Sequence, residues 1–384
     1  MQQIILIRHG IRSPTKPPET LAVYSSEAWP TWPVAPGQLT PHGTQLMRAL
    51  GVWHRQDLAA AGIKLDGCDS NLKLIADSTQ RNRDSAAAMI DTLMPGCHSS
   101  YYAFTPDHED PLFQGSGGAD DDTSTPTAIP ALPMAALVEL QQVLLGCHDD
   151  PCLAKARVDG KKLLLGEKPV ATLKSAGTLS ENLMLEYVQG FPMTQVGWGR
   201  LDAAGVGSII TLHNAQFALT KKAPPVASAR GGNMLAHIAA TFATAAGQTS
   251  PLPALAPADT KALVLVGHDT DLASQAGLLG LDWDSALQPD DYPPGGALIY
   301  QLVQSRGHYA VRLRIALPTL AALRAADLSD AKAMHVLPLR IKSCGNAESC
   351  PLANFQKLVA KAVHSTDVVS SAGNEPLVKA AVSD

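Results

Sequence analysis

Residues 4–16, I-I-L-I-R-H-G-I-R-S-P-T-K, constrain the fold of this chain more than any other stretch. The apolar run 4–7 reads as a strand buried on both faces, the habit of strands in sheets covered by helices on either side. It delivers Arg8, His9 and Arg12 at its carboxyl end, the edge where open α/β sheets bind ligands. Each guanidinium offers a rigid fork of donors matched to a tetrahedral oxyanion. A neutral imidazole between them can attack phosphorus without first losing a proton, and neighbouring cations keep it neutral in acid by lowering its pKa. Two arginines beside a histidine also occur on solvated loops, but a position straight after a buried strand, on a loop set by Gly10 and Pro14, favours a site.

The same logic recurs downstream. The apolar run 262–267, A-L-V-L-V-G, delivers His268-Asp269-Thr270-Asp271, which implies neighbouring strands whose ends meet over one pocket. A further strand at 72–76 precedes D-S-T-Q-R-N-R-D-S and an alanine-rich helix that stops at Met94-Pro95-Gly96. Thr40-Pro41-His42-Gly43 opens another helix, which runs to about Gly62. Pro293-Pro294-Gly295-Gly296 turns the chain into a strand at 297–303, with an antiparallel partner at 309–317 and a last helix at 352–363. Between these blocks, 135–145 and 179–189 have helical spacing with no strand run between them, and 114–126 is polar, glycine-rich and acidic, the pattern of a mobile loop. The expected fold is therefore α/β: a mixed central sheet flanked by helices, with a smaller, mostly helical inserted domain. We expect a discontinuous α/β domain over 1–105 and 225–364, an insertion over 106–224, and a weakly patterned polar tail over 365–384.

Composition narrows the function. A chain of 384 residues, 46% hydrophobic and 17% charged, suits an ordinary globular protein, and a net charge of −5 argues against a nucleic-acid partner. No window approaches the roughly 18 apolar residues of a membrane span. H-E-x-x-H, an Asp-rich calcium loop, a cysteine ligand pair, G-x-S-x-G and a Walker loop are all missing, so we expect no metal and no cofactor. Histidine 213 lies on an apolar helix face, where such residues usually hydrogen-bond within the core.

R-H-G-x-R-x-P followed far downstream by H-D resembles the signature of the histidine acid phosphatases. The longer match R-H-G-I-R-S-P-T-K, with A-W-P-T-W-P-V at 28–34 and G-Q-L-T-P-H-G at 37–43, is similar to the bacterial periplasmic phytases of that family, and D-P-L-F, G-W-G-R and L-H-N-A-Q-F extend the likeness through 106–224. The resemblance implies that His9 attacks in line to form a phosphohistidine, that Arg8, Arg12, Arg81 and His268 hold the phosphoryl oxygens, and that Asp269 protonates the leaving oxygen. Arg83 competes with Arg81 but reads as a solvated helix residue. It further implies substrate contacts from Thr15, Lys16 and Glu181, with Arg230 a weaker candidate; Lys16 reads equally well as a surface charge and Glu181 as a plain helix residue. Family members usually carry Asn where this chain has Asp271, whose simplest use is to cap the helix that follows.

Six cysteines pair by proximity as Cys68–Cys97, Cys147–Cys152 and Cys344–Cys350, and the family places bridges at comparable positions; sequence alone permits other connectivities and six reduced thiols. The even, spread-out set suits an oxidising setting, periplasmic or secreted, with the chain starting at a mature protein behind an added Met1. The leading expectation is a monomeric acid phosphatase of phytase type, acting on myo-inositol hexakisphosphate or another small phosphomonoester. Its rivals are a glucose-1-phosphatase or broad acid phosphatase, a phosphoglycerate-mutase-like phosphotransferase, and a phosphate-binding module with an inactive site.

Overall fold

The computed structural model describes residues 1–68, 71–106, 108–115, 132–165, 168–345, 347–369 and 378–381. The expected loop at 114–126 lies almost wholly outside them. The strands are β1 (Gln2–Arg8), β2 (Leu72–Ala76), β3 (Ser100–Ala103), β4 (Ala262–Gly267), β5 (Ala297–Ser305), β6 (His308–Pro318), β7 (Met334–Leu339), β8 (Cys350–Pro351) and β9 (Val378–Ala381). They form one sheet in the order β7-β6-β5-β1-β4-β2-β3-β9, with β8 pairing β6. β1, β4, β2 and β3 run parallel, and β5 joins β1 antiparallel, so the sheet is mixed.

Every residue of β1 is buried. Strand alternation sends Ile5 and Ile7 into one apolar cluster and Ile4 and Leu6 into another, on opposite faces of the sheet. The helices that cover these faces are α1 (Pro18–Leu21), α2 (Pro41–Ala60), α3 (Gln80–Leu93), α4 (Pro111–Gln114), α5 (Met134–Leu145), α6 (Asp150–Val158), α7 (Pro169–Val188), α8 (Ala203–Ile209), α9 (Thr211–Thr220), α10 (Pro224–Ala245), α11 (Asp269–Leu279), α12 (Leu320–Ala325) and α13 (Leu352–Ala362). Between β3 and β4 the described residues contain helices and no strand. These helices do not close on a core of their own: Leu140 of α5, Leu183 of α7 and Leu212 of α9 belong to the same cluster as Ile5, Ile7 and Leu46 of α2.

The start of α2 fixes the loop after β1. Thr40 caps the helix by accepting the Gly43 N–H at 2.9 Å, and Pro41 fills the first turn, where a missing N–H costs nothing. Gly43 then packs backbone to backbone on that loop, where a Cβ would lie 2.1 Å from the Ile11 carbonyl oxygen. A Cβ on Gly10 would lie 2.7 Å from the Gly43 carbonyl oxygen, so this glycine serves close approach and not a left-handed turn.

Part of the weakly patterned stretch 365–384 packs against the rest of the fold. Residues up to Val369 dock on α10: the Val369 N–H donates to Asn233 Oδ1 at 3.0 Å, and Ser228 Oγ donates to Asp367 Oδ2 at 2.6 Å. β9 then pairs antiparallel with β3 and forms one edge of the sheet. An edge strand of four residues, V-K-A-A, is too short for a periodic sequence pattern to detect. All three disulfides join the expected neighbours in sequence, and no described cysteine is free.

Candidate active site

The parallel ladder aligns Arg8 of β1 with Gly267 of β4 and Ala76 of β2 with Val266, so three strands end side by side. The chain leaves them through His9, His268 and Asp77, with the His9 N–H donating to the Gly267 carbonyl at 2.9 Å and the Asp77 N–H to the Val266 carbonyl at 3.0 Å. The rings of His9 and His268 stand edge to face, 5.5 Å apart. His9 Nδ1 lies 2.8 Å from the Gly10 carbonyl oxygen, which can only accept, so the proton sits on Nδ1 and Nε2 keeps its lone pair. Burial, then the charges of Arg81, Arg8, His268 and Arg12, hold the His9 pKa well below the usual histidine value.

Arg8 is wholly buried and spans three carboxylates: Nη2 meets Glu181 and, at 2.8 Å, Asp269 Oδ2, while Nη1 lies 3.7 Å from Asp290 and donates to the Tyr292 carbonyl. Arg12 Nη2 reaches both Glu181 oxygens, at 2.9 and 3.0 Å. On the other side, Arg81 Nη2 lies 3.3 Å from His268 Nδ1, and His268 Nε2 donates to Asp77 Oδ2 at 3.0 Å. Burial alone would raise the Asp77 pKa, but the hydrogen bond and charge of His268 outweigh it and hold it below the carboxylate range. Asp269 follows the same balance: burial raises it, and Arg8, His213, Arg12 and His268 together hold it below the carboxylate range.

His9, Arg8, Arg12, Arg81, His268 and Asp269 thus cluster at the ends of β1, β4 and β2. Thr15 and Lys16 are both exposed, and Thr15 lies near Arg81, since a Cβ on Gly37 would lie 3.6 Å from Thr15 Cγ2 and 3.9 Å from Arg81 Nη1. Arg83 turns away and donates to the Phe104 carbonyl at 2.7 Å. Arg230 is buried in α10 and is not among the charges that act most strongly on His9 or Asp269. Glu181 is more than a plain helix residue, because its carboxylate braces Arg8 and Arg12. Asp271 accepts the His268 backbone N–H at 2.7 Å and closes a capping box at the start of α11, the use expected of it.

Three contributors escape the sequence reading. Asp77 had a signal, an aspartate straight after a buried strand. Asp290 sits in a loop without pattern. His213 is indeed buried, yet it is no ordinary core histidine, because its Nδ1 lies 3.4 Å from Asp290 and its pKa is raised, with burial opposing and Asp290, Glu181 and Asp269 prevailing. Glu181, His213 and Asp269 each present a ligand atom within 4.8 Å of the others, the spacing of a cation site. The Arg8 guanidinium already lies against two of the three and supplies the positive charge there.

Comparison with known proteins agrees with this geometry. A model of the histidine phosphatase superfamily (branch 2) matches residues 1–126. Phytase AppA of Escherichia coli (strain K12) is 30% identical over 396 residues, covering 94% of this chain and 91% of its own. The glucose-1-phosphatase of Salmonella typhimurium (strain LT2) is 26% identical over 395 residues, covering 94% and 92%. Among solved structures, the Hafnia alvei phytase in complex with myo-inositol hexakis sulphate superimposes with a TM-score of 0.81 at 30% identity, over 96% of this chain and 98% of that one.

Proposed function

The chain belongs to the histidine phosphatase superfamily, branch 2, and from that membership we propose that it is an acid phosphatase of phytase type, whose favoured substrate is myo-inositol hexakisphosphate. The observation that carries the chemistry is His9: its Nδ1 is anchored on the Gly10 carbonyl, its Nε2 has no hydrogen-bond partner among the described residues, and cations surround it. In the first step Nε2 forms a bond to phosphorus as the bond from phosphorus to the leaving oxygen breaks. Arg8, Arg12, Arg81 and His268 hold the equatorial oxygens, where charge accumulates, and Asp269 gives its proton to the leaving alcohol. In the second step water attacks the phosphohistidine and passes a proton to Asp269, and the bond between nitrogen and phosphorus returns to Nε2 as phosphate leaves.

Asp269 must be protonated at the start, while Arg8 and its neighbours favour the carboxylate. Two effects reconcile this. An incoming phosphoryl group neutralises the cations that depress the pKa, and a phosphomonoester, whose second ionisation lies near pH ~6, carries a proton into the site below that pH. The result is an enzyme that works in acid. Its three disulfides suit a periplasmic or secreted setting, and we take it to act as a monomer.

What supports phytase over glucose-1-phosphatase is the pair Thr15 and Lys16, exposed and three and four residues after Arg12 in the chain, as contacts for phosphates beyond the scissile one. The test is twofold. Turnover with labelled substrate, quenched in base, should trap an acid-labile, base-stable phosphoenzyme on His9, and His9→Ala should abolish turnover. Side-by-side rates on phytate, glucose 1-phosphate and p-nitrophenyl phosphate rank the substrates. Label on serine, or activity retained without His9, refutes the mechanism; preference for glucose 1-phosphate over phytate refutes the substrate.

A further inference from the structure

Around Arg8 the buried charges balance only with the help of a histidine. Arg8 and Arg12 face three carboxylates, Glu181, Asp269 and Asp290, and all five side chains are buried. A third positive charge is available from His213 of α9, whose Nδ1 stands 3.4 Å from Asp290 Oδ1 and which presents a ring nitrogen within 4.8 Å of carboxylate oxygens of both Glu181 and Asp269. Neither of its ring nitrogens has a well-aligned hydrogen bond among the described residues, and Asp290 Oδ2 lacks one as well. The charged groups that face the ring are Glu181 from α7, Asp269 from α11, and Asp290 and Asp291 from the loop before β5, with the two guanidiniums beyond them. Its apolar neighbour is the Phe217 ring, 4.2 Å away between centres. An imidazole buried among carboxylates takes up a proton, because they stabilise the charge that burial disfavours.

One proton then has two places to sit. On His213 it sets three cations against three carboxylates; on Asp269 it leaves two against two, so the exchange brings no net charge into the buried cluster. A separation of up to 4.8 Å exceeds a direct hydrogen bond but is spanned by one bridging water. Substrate sets the direction. A phosphoryl group seated among Arg8, Arg12, Arg81 and His268 brings negative charge nearest to Asp269, the group that must reach the leaving oxygen, and the attraction of that charge for a proton falls with distance. The proton is therefore drawn from the ring to the carboxylate once the site is filled.

We infer that His213 is the proton store of the general acid: it holds the proton in the resting enzyme, yields it to Asp269 when the phosphoryl group binds, and takes it back after hydrolysis. The inference rests on the phosphatase reading and deepens it. In the first half-reaction an N–H bond of His213 breaks as the Asp269 O–H bond forms, and that proton leaves with the alcohol. In the second, the proton given up by water passes through Asp269 to the ring, so the cycle needs no further acid or base. A substrate brings its own proton only below its second ionisation, near pH ~6, whereas a stored proton is present whatever the charge of the ester. His213 acts through Asp269 and is thus a positioning residue for the proton.

The test compares glycerol 2-phosphate, whose leaving group is a basic alkoxide, with p-nitrophenyl phosphate. It uses the wild type, His213→Gln, which removes the proton, and His213→Lys, which keeps the charge but holds its proton tightly. The ratio of kcat values on the two esters does not depend on how much of a preparation is folded. It should fall about tenfold or more in both variants, part of what a general acid contributes. In His213→Gln the alkaline limb of the glycerol 2-phosphate profile should also move to lower pH, while that for p-nitrophenyl phosphate stays in place. In the wild type, nitrogen NMR of the His213 ring in acid should show an imidazolium that turns neutral when sulfate, a tetrahedral dianion with no proton to give, is added at a concentration that inhibits hydrolysis. A ratio unchanged in both variants, or a ring that keeps its charge with sulfate bound, overturns the inference alone. If the wild type hydrolyses neither ester, the phosphatase reading falls and the inference with it.

Discussion

Asp269→Asn separates the chemical role of this carboxylate from its structural one. Its Oδ2 meets Arg8 Nη2 at 2.8 Å and its Oδ1 accepts the Thr270 N–H at 2.7 Å. Asparagine keeps one acceptor oxygen but cannot carry the acidic proton. Arg8 would not be left as an orphaned buried charge, because Glu181, Asp290 and the Tyr292 carbonyl still surround it. The stability loss should therefore lie in the range of a lost charged hydrogen bond, about 1.5–3 kcal/mol, and below the roughly 3–5 kcal/mol of a buried ion stripped of its partner. Catalysis should respond more sharply. A positioned general acid contributes about 10²- to 10⁴-fold, or roughly 3–5 kcal/mol, when the leaving group is a basic alkoxide, and little when it is a nitrophenolate. Steady-state kcat on phytate and on p-nitrophenyl phosphate, measured at the same acid pH with Tm as a control, should thus diverge by at least a factor of about 100. Equal losses on both substrates would refute the proton-donor role and leave Asp269 as a counter-ion of Arg8.

Other expectations follow from groups outside the reacting shell. Asp77→Asn removes the carboxylate that fixes His268, so the inhibition constant of inorganic phosphate should rise about tenfold, in line with one hydrogen bond to a charged group; an unchanged constant would make Asp77 purely structural. Glu186 is buried, and burial pushes its pKa up to about 8 despite the hydrogen bond from the Gly197 N–H. Because the folded pKa lies above the unfolded one, the protonated form stabilises the fold fully below about pH 4.3, and that stability is lost as pH rises towards 8. Glu186→Gln should accordingly flatten the fall in Tm between mildly acidic and neutral pH, and equal slopes for both proteins would refute it. Breaking Cys68–Cys97, which spans 29 residues, should cost roughly 3–4 kcal/mol in denaturant titrations by chain-entropy reasoning, and more than breaking either short bridge.

Local pattern went far in this chain because its central chemistry lies at the ends of fully buried strands. The apolar runs before R-H-G and H-D are self-evident as strands, and since parallel neighbours end at one edge, the meeting of His9 with His268 and Asp269 was legible from residue order alone. The helix capped at Thr40 and the antiparallel pair β5 and β6 were equally readable, because caps and alternation are local signals. What the tertiary structure decided were relations between distant segments. Glu181 is an unremarkable helix glutamate until α7 lays it against Arg8 and Arg12, residues more than 160 positions away in the chain. Asp290, in a loop without periodicity, acquires meaning only by facing Arg8 and His213, and β9 becomes part of the sheet only because β3 offers an open edge. The physical reason is common to all three. Hydrophobic periodicity records which side of an element faces the core, whereas a buried charge must find its counter-ion wherever the packed chain happens to bring one, and sequence spacing carries no record of that choice.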